Sequence, residues 1–400
     1  MRRILTLIDI YVPGYKAGGP VRTIENMVSH LGDQFEFWII TSDHDLDGVP
    51  YKNVPFNQWV RVGKANVFYA TTKRFTMRTL RTLLLEVKPD VVYINSFFAR
   101  LPIKYLTLRR LGLIPSFPTI LAPRGEFAPS ALNFKSRKKQ VYMRASKLIG
   151  LYSGLVWQAS SEREANDIRV NWNMNTHIQI ASNLPAPSPT PQDTPTSLIK
   201  DEGVLKLVYI SRIAPVKNLL FAIRLLKDIP GRITFSMYGP PDDPDYWKLC
   251  QDESAALPSN ITVAYHGSVP HDQVKEIFAD HHFFLLPTLG ENFGHAILES
   301  LNSGCPVIIS DRTPWRNLSK VGAGWVLPLD KPSAWRDVVT TCVNMNGERF
   351  ASMSTNAKHF ASEWSGQGHI VQDMIRLLNM QREGFNPHTS ISTPYALRGR

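Results

Sequence analysis

The sequence predicts an α/β protein built from two Rossmann-like domains in tandem. At 400 residues, the chain is longer than one hydrophobic core usually holds. Short apolar runs alternate with stretches of helical periodicity in both halves, a pattern typical of parallel sheets covered by helices. A proline-rich segment, residues 184–199, separates the halves, and proline at that density favours neither helix nor strand. We therefore place a linker there.

The first half, residues 1–183, is predicted to form one Rossmann-like domain. Its strand candidates are residues 4–10, 35–41, 67–70, 91–95, 119–122 and 155–159, and its helical patterns are residues 21–31, 76–87 and 138–149. Many of the strands are almost continuously apolar, as expected when helices cover both faces of a sheet. The opening MRRILTLID has too short an apolar run for a signal peptide, so it is interpreted as a buried first strand.

The second half repeats the alternation over residues 200–362. Its strand candidates are residues 205–210, 233–237, 262–265, 283–286 and 306–310, and its helical patterns are residues 219–226, 246–256 and 295–302. A last helix over residues 363–383 is expected to pack back on the N-terminal domain. Residues 384–400 are predicted to be a polar tail.

Composition excludes several classes of protein. The chain is 43% hydrophobic and 20% charged, which is normal for a globular protein and excludes a mostly disordered one. Three distant cysteines, Cys250, Cys305 and Cys342, favour neither a disulfide framework nor a zinc site. We find no apolar segment long enough to span a bilayer, and we expect a cytoplasmic protein.

Positive charge is concentrated in the first half of the chain. The net charge is +11, and residues 1–185 hold 25 Lys and Arg against 13 Asp and Glu. Residues 100–147 carry 11 basic residues against one acid, Glu126. Such a segment favours a surface that meets anions, whether nucleic acid, lipid headgroups or a phosphorylated substrate; a merely solvated face is the alternative. No zinc-finger or RNA-recognition signature accompanies it, so no nucleic-acid partner is expected.

The loop after the first strand argues against a dinucleotide enzyme. Residues 11–20 read YVPGYKAGGP, in which Gly14, Gly18 and Gly19 do not fit the GxGxxG fingerprint. Gly18 and Gly19 precede a helical pattern, so an anion could approach the backbone amides at that helix start. A glycine pair before a helix is also common in ordinary turns.

Two cations follow the first strand of the second half. Arg212 lies at the end of the strand and Lys217 at the expected start of the next helix, where ligands bind in doubly wound sheets. A cation at a helix N-terminus opposes the helix dipole, and a bound diphosphate would remove that conflict. A solvated surface pair is the alternative. The next strand exits through Gly239, near the same crevice.

A later loop, PTLGENFGHAILE at residues 287–299, supplies two carboxylates. Glu291 lies in the loop, Gly294 begins a helix and exposes its amides, and Glu299 lies in the second helical turn. Carboxylates accept hydrogen bonds from pairs of hydroxyls, which suits a ribose diol. The alternatives are a helix-surface acid at Glu299 and a dipole-stabilising acid at Glu291.

These residues together resemble the retaining GT-B glycosyltransferases of glycosyltransferase family 4, whose two Rossmann-like domains face each other across a cleft. The resemblance spans about residues 1–380 and is most specific in ENFGHAILESLNSGCPVIISD, residues 291–311. The opening YVPGYKAGGPVRTIENM, residues 11–27, resembles the family's glycine loop. The segment LAPRGEFAPSALNFKSRKKQ, residues 121–140, resembles members that build bacterial surface polysaccharides.

The resemblance implies a role for each motif residue. Arg212 and Lys217 would hold the donor diphosphate. Glu299 would bind the ribose, and Glu291 would face the transferred sugar; Arg212, Lys217 and Glu291 would be the catalytic set. The other donor-side residues would be Gly18, Gly19, Gly239, Asn292, Phe293 and Gly294, and the acceptor-side residues would be Arg124 and Glu126.

One position departs from the family pattern. Many members carry a histidine after the strand at residues 91–95, where this chain has Asn95 and Ser96. An acceptor-side histidine is therefore not assigned there.

We expect a retaining hexosyltransferase that uses a nucleoside-diphosphate sugar and needs neither cofactor nor metal. Asp43-His-Asp45 and Asp243-Pro-Asp245 match a metal-binding DxD in letters, but both lie outside the motif cluster. The expected acceptor is a glycan or lipid-linked sugar in bacterial surface-polysaccharide synthesis, at the inner face of the cytoplasmic membrane and its anionic surface. Two alternatives stay open: a nucleotide-sugar epimerase of the same architecture, and a non-catalytic nucleotide-sugar-binding protein.

Overall fold

A computed structural model describes residues 1–72, 76–133, 136–187 and 198–379. Within these ranges the chain forms two sheets, one of eight strands and one of six. Separate clusters of buried apolar side chains pack against each sheet. Each half of the chain therefore has a core of its own.

The N-terminal half alternates strands and helices. Its elements are β1 (Arg2–Leu7), α1 (Gly19–Leu31), β2 (Phe35–Ser42), β3 (Trp59–Val62), β4 (Ala65–Ala70), α2 (Met77–Val87), β5 (Val91–Asn95), α3 (Arg100–Arg110), β6 (Thr119–Ala122), α4 (Pro129–Asn133), α5 (Ser136–Leu148), β7 (Val156–Ala159), α6 (Glu162–Asn171) and β8 (Ile178–Ile180). The strand order is β3-β4-β2-β1-β5-β6-β7-β8, and only the β3–β4 pair is antiparallel. Ile4, Leu5 and Leu7 in central β1 are fully buried because helices cover both faces of the sheet.

The C-terminal half repeats this construction with a smaller sheet. Its elements are β9 (Val204–Ile210), a 3₁₀ turn (Pro215–Lys217), α7 (Leu219–Leu226), β10 (Arg232–Tyr238), α8 (Pro244–Ala255), β11 (Ile261–Tyr265), α9 (His271–Ala279), β12 (Phe283–Leu286), α10 (His295–Asn302), β13 (Val307–Ser310), β14 (Gly324–Leu327), α11 (Pro332–Val343), α12 (Gly347–Ser365) and α13 (Gly368–Leu378). The strand order is β11-β10-β9-β12-β13-β14, and all pairs are parallel. The carboxyl ends of its strands therefore open to one edge, where ligands of such sheets bind.

The chain returns to the N-terminal half at its last helix. Ile370, Met374 and Leu377 of α13 are buried in the same cluster as Ile4 and Ile24. The last helix differs from the predicted single helix over residues 363–383. α12 runs on to Ser365, and α13 begins only after a two-residue break.

Parts of the predicted organisation lie outside the described residues. Most of the linker at 184–199 and the whole tail at 384–400 belong there, so those boundaries stay predictions. No helix of the described chain is long and apolar enough to cross a membrane.

Candidate active site

A cleft of about 610 Å³ lies between the two sheets. Both halves of the chain line it, and all twelve site residues proposed from the sequence are among its walls. These are Gly18, Gly19, Arg124, Glu126, Arg212, Lys217, Gly239, Glu291, Asn292, Phe293, Gly294 and Glu299. They lie in the loops that follow β1, β6, β9, β10 and β12, except that Gly19 begins α1 and Glu299 lies on α10. The carboxyl ends of the strands in both sheets meet at this cleft.

The glycine loop between β1 and α1 is held by a carboxylate. Asp45 accepts hydrogen bonds from the backbone amides of Tyr15 (2.8 Å) and Lys16 (3.0 Å). Gly19 begins α1 opposite the C-terminal half, where a Cβ atom would lie 3.8 Å from Cδ2 of His295. Asp45 therefore holds the glycine loop in place, and Gly18 and Gly19 of this loop line the cleft.

Lys217 lies in the 3₁₀ turn before α7, not in the first turn of the helix as its position after β9 suggested. Its Nζ donates to Oε2 of Glu291 at 2.5 Å, and both side chains are more than 80% buried. Two bonds to the carbonyl of Val216, from the Leu289 amide (2.8 Å) and the Thr288 hydroxyl (3.0 Å), hold the two loops together. The structure thus brings the predicted cation and carboxylate into direct contact.

Arg212 is more exposed than Lys217. Its guanidinium forms an ion pair with Asp242, and 40% of its side chain is accessible. Gly239 lies beside it at the end of β10 with φ +133°, and a Cβ atom there would lie 1.9 Å from the Ser211 carbonyl oxygen. Only glycine therefore allows β10 to leave the sheet this close to β9.

Gly294 precedes α10 in the left-handed region with φ +82°. A Cβ atom there would lie 2.8 Å from Ile297 and 3.0 Å from Glu291. No described side chain caps α10, and the Ile297 amide donates to the Gly294 carbonyl, so the amides of His295 and Ala296 are the ones that remain available to an anion. The carbonyl of the preceding Phe293 accepts a bond from Nε1 of Trp315 at 2.6 Å, which fixes the loop.

His295 was not proposed from the sequence, although it joins the two halves. The Thr23 hydroxyl lies 3.0 Å from the carbonyl of Gly19, to which it can donate, and forms a hydrogen bond of 2.9 Å with Nε2 of His295. Burial lowers the pKa of His295 to about 3, which keeps the ring neutral. The motif ENFGH contains this histidine, but nothing in the sequence indicates its partner in the other half.

Glu299 is half-buried on α10, and burial raises its pKa to about 7. From α1, the positive charge of Arg22 lowers this pKa and the carboxylate of Glu25 raises it. From α9, Nδ1 of His271 lies 3.6 Å from the carboxylate, and burial lowers the His271 pKa to about 4. A neutral imidazole therefore faces a carboxylate whose pKa burial raises towards the neutral range.

Arg124 is held by four hydrogen bonds. Its guanidinium donates to Oδ1 of Asn95 (2.9 and 3.1 Å), to Oδ1 of Asn183 (2.6 Å) and to the hydroxyl of Tyr93 (2.7 Å). This fixed cation lines the cleft. The sequence predicted that it lies on the acceptor side. Asn95, at which the sequence departs from the family pattern, holds Arg124 in position.

Glu126 is the second residue that the sequence predicted on the acceptor side. Its carboxylate accepts bonds from the Ser96 hydroxyl (2.6 Å) and the Phe97 amide (2.5 Å). Burial raises the pKa of Glu126 to about 7, although the positive charge of Lys139 acts in the opposite direction. Glu126 can therefore accept or release a proton near neutral pH.

Glu164 is a further buried carboxylate that the sequence did not indicate. It accepts bonds from the Gly125 amide (2.6 Å) and from the amide and hydroxyl of Ser160 (2.7 and 2.8 Å). The Ser160 hydroxyl also lies 3.2 Å from Oδ1 of Asn292, across the cleft. Glu164 therefore supports the loop at Gly125, and Ser160, which Glu164 binds, contacts the C-terminal half.

Asp243, like Asp45, accepts a hydrogen bond from a backbone amide. It caps α8 by accepting a bond from the amide of Tyr246 at 3.0 Å. The two DxD-like sequences thus have local roles in the described structure.

Part of the chain matches a known protein family. Residues 192–360 match the family model of group 1 glycosyl transferases. No curated protein matches the chain. The match covers less than half of the chain.

Solved structures match nearly the whole chain. Sucrose-phosphate synthase from Thermosynechococcus elongatus has a TM-score of 0.68 at 13% identity, with 94% of this chain and 98% of that one covered. HepE from Anabaena, solved with UDP and glucose, has a TM-score of 0.66 at 15% identity, with 94% and 99% covered. WaaG, a glycosyltransferase involved in lipopolysaccharide biosynthesis, has a TM-score of 0.66 at 13% identity, with 95% and 100% covered. The predicted GT-B fold is confirmed.

Proposed function

We propose that this GT-B chain is a retaining hexosyltransferase, which moves a hexosyl residue from a nucleoside-diphosphate sugar to an acceptor hydroxyl. The observation that carries the proposal is the Lys217–Glu291 pair beside the uncapped start of α10, with Glu299 one further turn along that helix. A cation, free amides and two carboxylates in one cleft match the diphosphate and hydroxyl groups of a nucleotide sugar.

The donor diphosphate would bind at the C-terminal wall of the cleft. As the glycosidic bond breaks, negative charge develops on the departing phosphate, and preorganised cations and amides stabilise that charge. Lys217, Arg212 and the first turn of α10 would supply this stabilisation. Gly18 and Gly19 would approach the diphosphate from the opposite wall.

The two carboxylates would have different partners. Glu299 would accept hydrogen bonds from the ribose hydroxyls, and Glu291 would face the transferred sugar. His295 would act through its bond to Thr23, which holds the glycine loop against α10.

Glu299 predicts a pH dependence of donor binding. Its ionised form accepts two hydroxyl hydrogen bonds, whereas its protonated form must donate one, so binding is expected to weaken as pH falls through about 7. We expect the Kd of the nucleotide sugar, measured by titration calorimetry from pH 8 to pH 6, to rise about tenfold per unit below the pKa. A nucleotide sugar suits the test because its diphosphate diester does not titrate in this range.

Glu299→Gln is the matched control for that titration. It removes the titrating group, so its Kd is expected to be weak and nearly constant across the same pH range. A wild-type Kd that does not change with pH, or a variant Kd that changes as much as the wild type, would contradict the ribose role.

Retention is proposed to proceed by attack on the face from which the leaving group departs. The departing phosphate oxygen would take the proton of the acceptor hydroxyl while the new glycosidic bond forms. Glu126, with its raised pKa, would orient the acceptor hydroxyl, and Arg124 would line the same side.

Metal independence is a further part of the proposal. Since Lys217, Arg212 and helix amides would offset the charge of the diphosphate, EDTA at millimolar concentration is expected to leave kcat within about twofold of its untreated value. The measurement is the initial rate after dialysis against chelator. A large loss that magnesium or manganese restores would show that a metal takes part.

The acceptor is proposed to be a glycan or lipid-linked sugar used in bacterial surface-polysaccharide synthesis, presented at the cytoplasmic membrane. α4 lines the cleft at Ser130 and Ala131, and Lys139 of α5 donates to the carbonyl of Ala131 at 2.6 Å. The exposed basic residues Arg137 and Lys138 directly precede Lys139 on α5. The cleft wall at Ala131 thus adjoins a basic helix, which would suit an anionic membrane.

A coupled assay tests the proposed function. Release of nucleoside diphosphate only when an acceptor is present is the expected result. Conversion of the donor sugar without any acceptor would favour the epimerase, and binding without turnover of any donor and acceptor would favour a non-catalytic protein.

A further inference from the structure

Arg124 differs from the other cations of the cleft in having no carboxylate partner. In the described chain, four of those cations each form an ion pair with a carboxylate: Lys16, Arg22, Arg212 and Lys217. Arg163 also lines the cleft, with Asp167 one turn further along α6. Arg124 donates only to neutral groups among the described residues, so its positive charge is left unmatched.

The neutral partners of Arg124 are themselves held in orientation. Nδ2 of Asn95 donates to the Leu7 carbonyl at 3.4 Å, so its Oδ1 is the atom that faces the guanidinium group. The Tyr93 hydroxyl donates to Oε1 of Gln158 and therefore accepts from Arg124. A guanidinium group carries five N–H groups, and the second N–H of Nη1 has no partner in the described chain. The cation is thus fixed but keeps both its charge and a free donor.

Two carboxylates lie close to Arg124 but are bound to other donors. Glu164 accepts a hydrogen bond from the Gly125 amide at 2.6 Å, and Glu126 accepts one from the Ser96 hydroxyl at 2.6 Å. Neither carboxylate forms an ion pair with Arg124 in the described structure. A partly buried cation without a counter-charge favours the binding of an anion from outside the chain.

The backbone is strained at two neighbouring strand ends beside this cation. Arg124 has φ +58° and Ser96 has φ +73°, in the left-handed region that residues other than glycine rarely adopt. Ser96 follows β5 and Arg124 follows β6, which pair in parallel, and the Ser96 amide donates to the Ala122 carbonyl at 2.9 Å. Such strain is retained mainly where a loop serves a ligand. Here it accompanies the loop that carries both Arg124 and Glu126.

We propose that Arg124 binds an anionic group of the acceptor, a phosphate or a carboxylate, so that the enzyme selects charged saccharides over neutral ones. A guanidinium group forms charge-assisted hydrogen bonds with either oxyanion. The ligand would supply the negative charge that the surrounding side chains leave out. Glu126, two residues further on, would meet a hydroxyl of the same acceptor. The inference rests on the proposed function and deepens it, because it names the class of acceptor.

A binding titration with the full chain tests the site. The donor side is first filled with whichever of UDP, GDP, ADP, CDP and dTDP stabilises the chain most. Inorganic phosphate, glucose 6-phosphate, glucuronate and glucose are then titrated at constant ionic strength and followed by ligand-observed NMR. We expect at least one of the two charged sugars to bind about tenfold more tightly than glucose. The one that binds better tells a phosphate group from a carboxylate.

Asn183→Asp separates anion binding from a structural role. Its carboxylate would keep the bond that Oδ1 of Asn183 accepts from Arg124 at 2.6 Å, but it would neutralise the guanidinium charge. We expect this variant to melt like the wild type and to bind the charged sugars no better than glucose. Asn166→Asp, exposed on α6 and outside the cleft lining, changes the net charge equally and is expected to leave binding unchanged. Arg124→Lys keeps the charge and is expected to retain part of the preference.

Several results would overturn the inference. These are equal binding of charged and neutral sugars by the wild type, a preference for charged sugars that survives in Asn183→Asp, and binding of inorganic phosphate without either charged sugar.

The coupled assay separates this inference from the proposed function. Turnover of neutral and charged acceptors at equal rates would leave the transferase standing and refute the anion site. Charged-sugar binding that Asn183→Asp abolishes, without turnover of any acceptor, would support the anion site and count against the transferase.

Discussion

Lys217→Met is expected to lower kcat by about 10²–10³, the loss typical when one preorganised charge-stabilising group is removed. Methionine keeps most of the length and volume of lysine without its charge. The developing charge of the diphosphate would then depend on Arg212 and the α10 amides alone. Steady-state rates at saturating donor measure the effect.

The folded state must be checked in the same variant, since Lys217→Met leaves Glu291 without its 2.5 Å partner. A thermal melt separates loss of folding from loss of chemistry, and Lys248→Met on exposed α8 is the control for removing a surface lysine. Arg212→Ala is expected to cost less, because Arg212 is more exposed and already paired with Asp242. A kcat for Lys217→Met within about twofold of the wild-type value would contradict the assignment of Lys217 to the donor site.

Glu291→Gln is expected to separate turnover from nucleotide binding. Glutamine keeps the shape of the side chain but removes the charge that should face the transferred sugar, so kcat is expected to fall by about 10²-fold. Nucleoside diphosphate should bind at least as tightly as in the wild type, because Lys217 no longer pairs with a carboxylate. Rates and calorimetric titrations on one preparation compare the two quantities.

The opposite pattern in Glu291→Gln would contradict its role. If nucleoside diphosphate binding is lost while kcat at saturating donor is kept, the carboxylate serves the nucleotide rather than the sugar. Glu299→Gln offers the internal comparison, because this variant is expected to weaken nucleotide binding.

The sequence predicted the sheet interiors well because buried parallel strands are apolar on both faces. The run at residues 283–286 became β12 with the predicted bounds, and the run at 91–95 became β5. The edge strands β3, β8 and β14 were missed, since they are only three or four residues long and mostly only partly buried. The break between α12 and α13 was missed because helical periodicity continues on both sides of it.

The site was predictable where consecutive residues carry it. Glu291, Gly294 and Glu299 lie in one loop and helix, so their spacing alone placed them together. Thr23 and His295 are 272 residues apart in the chain, and their bond depends on how the two halves face each other. Local pattern holds no such information.

The same limit applies on the acceptor side. Arg124 and Glu126 were proposed by family resemblance, but their supports Asn95, Ser96 and Asn183 come from other loops. The sequence showed that the usual histidine is absent after β5. Only the structure shows that the residues there hold the cation and the carboxylate in place.

Thermal unfolding of the wild type with a panel of nucleotide sugars tests whether the cleft binds such a donor, because a ligand that binds only the folded chain stabilises it by RT ln(1+[L]/Kd). At about 100 times Kd this amounts to about 2.7 kcal/mol. We predict that at least one nucleotide sugar raises Tm in the absence of metal, and that Lys217→Met and Glu299→Gln lose most of that rise. A panel without any stabilising nucleotide sugar, or a rise unchanged in both variants, would contradict a nucleotide-sugar site in this cleft.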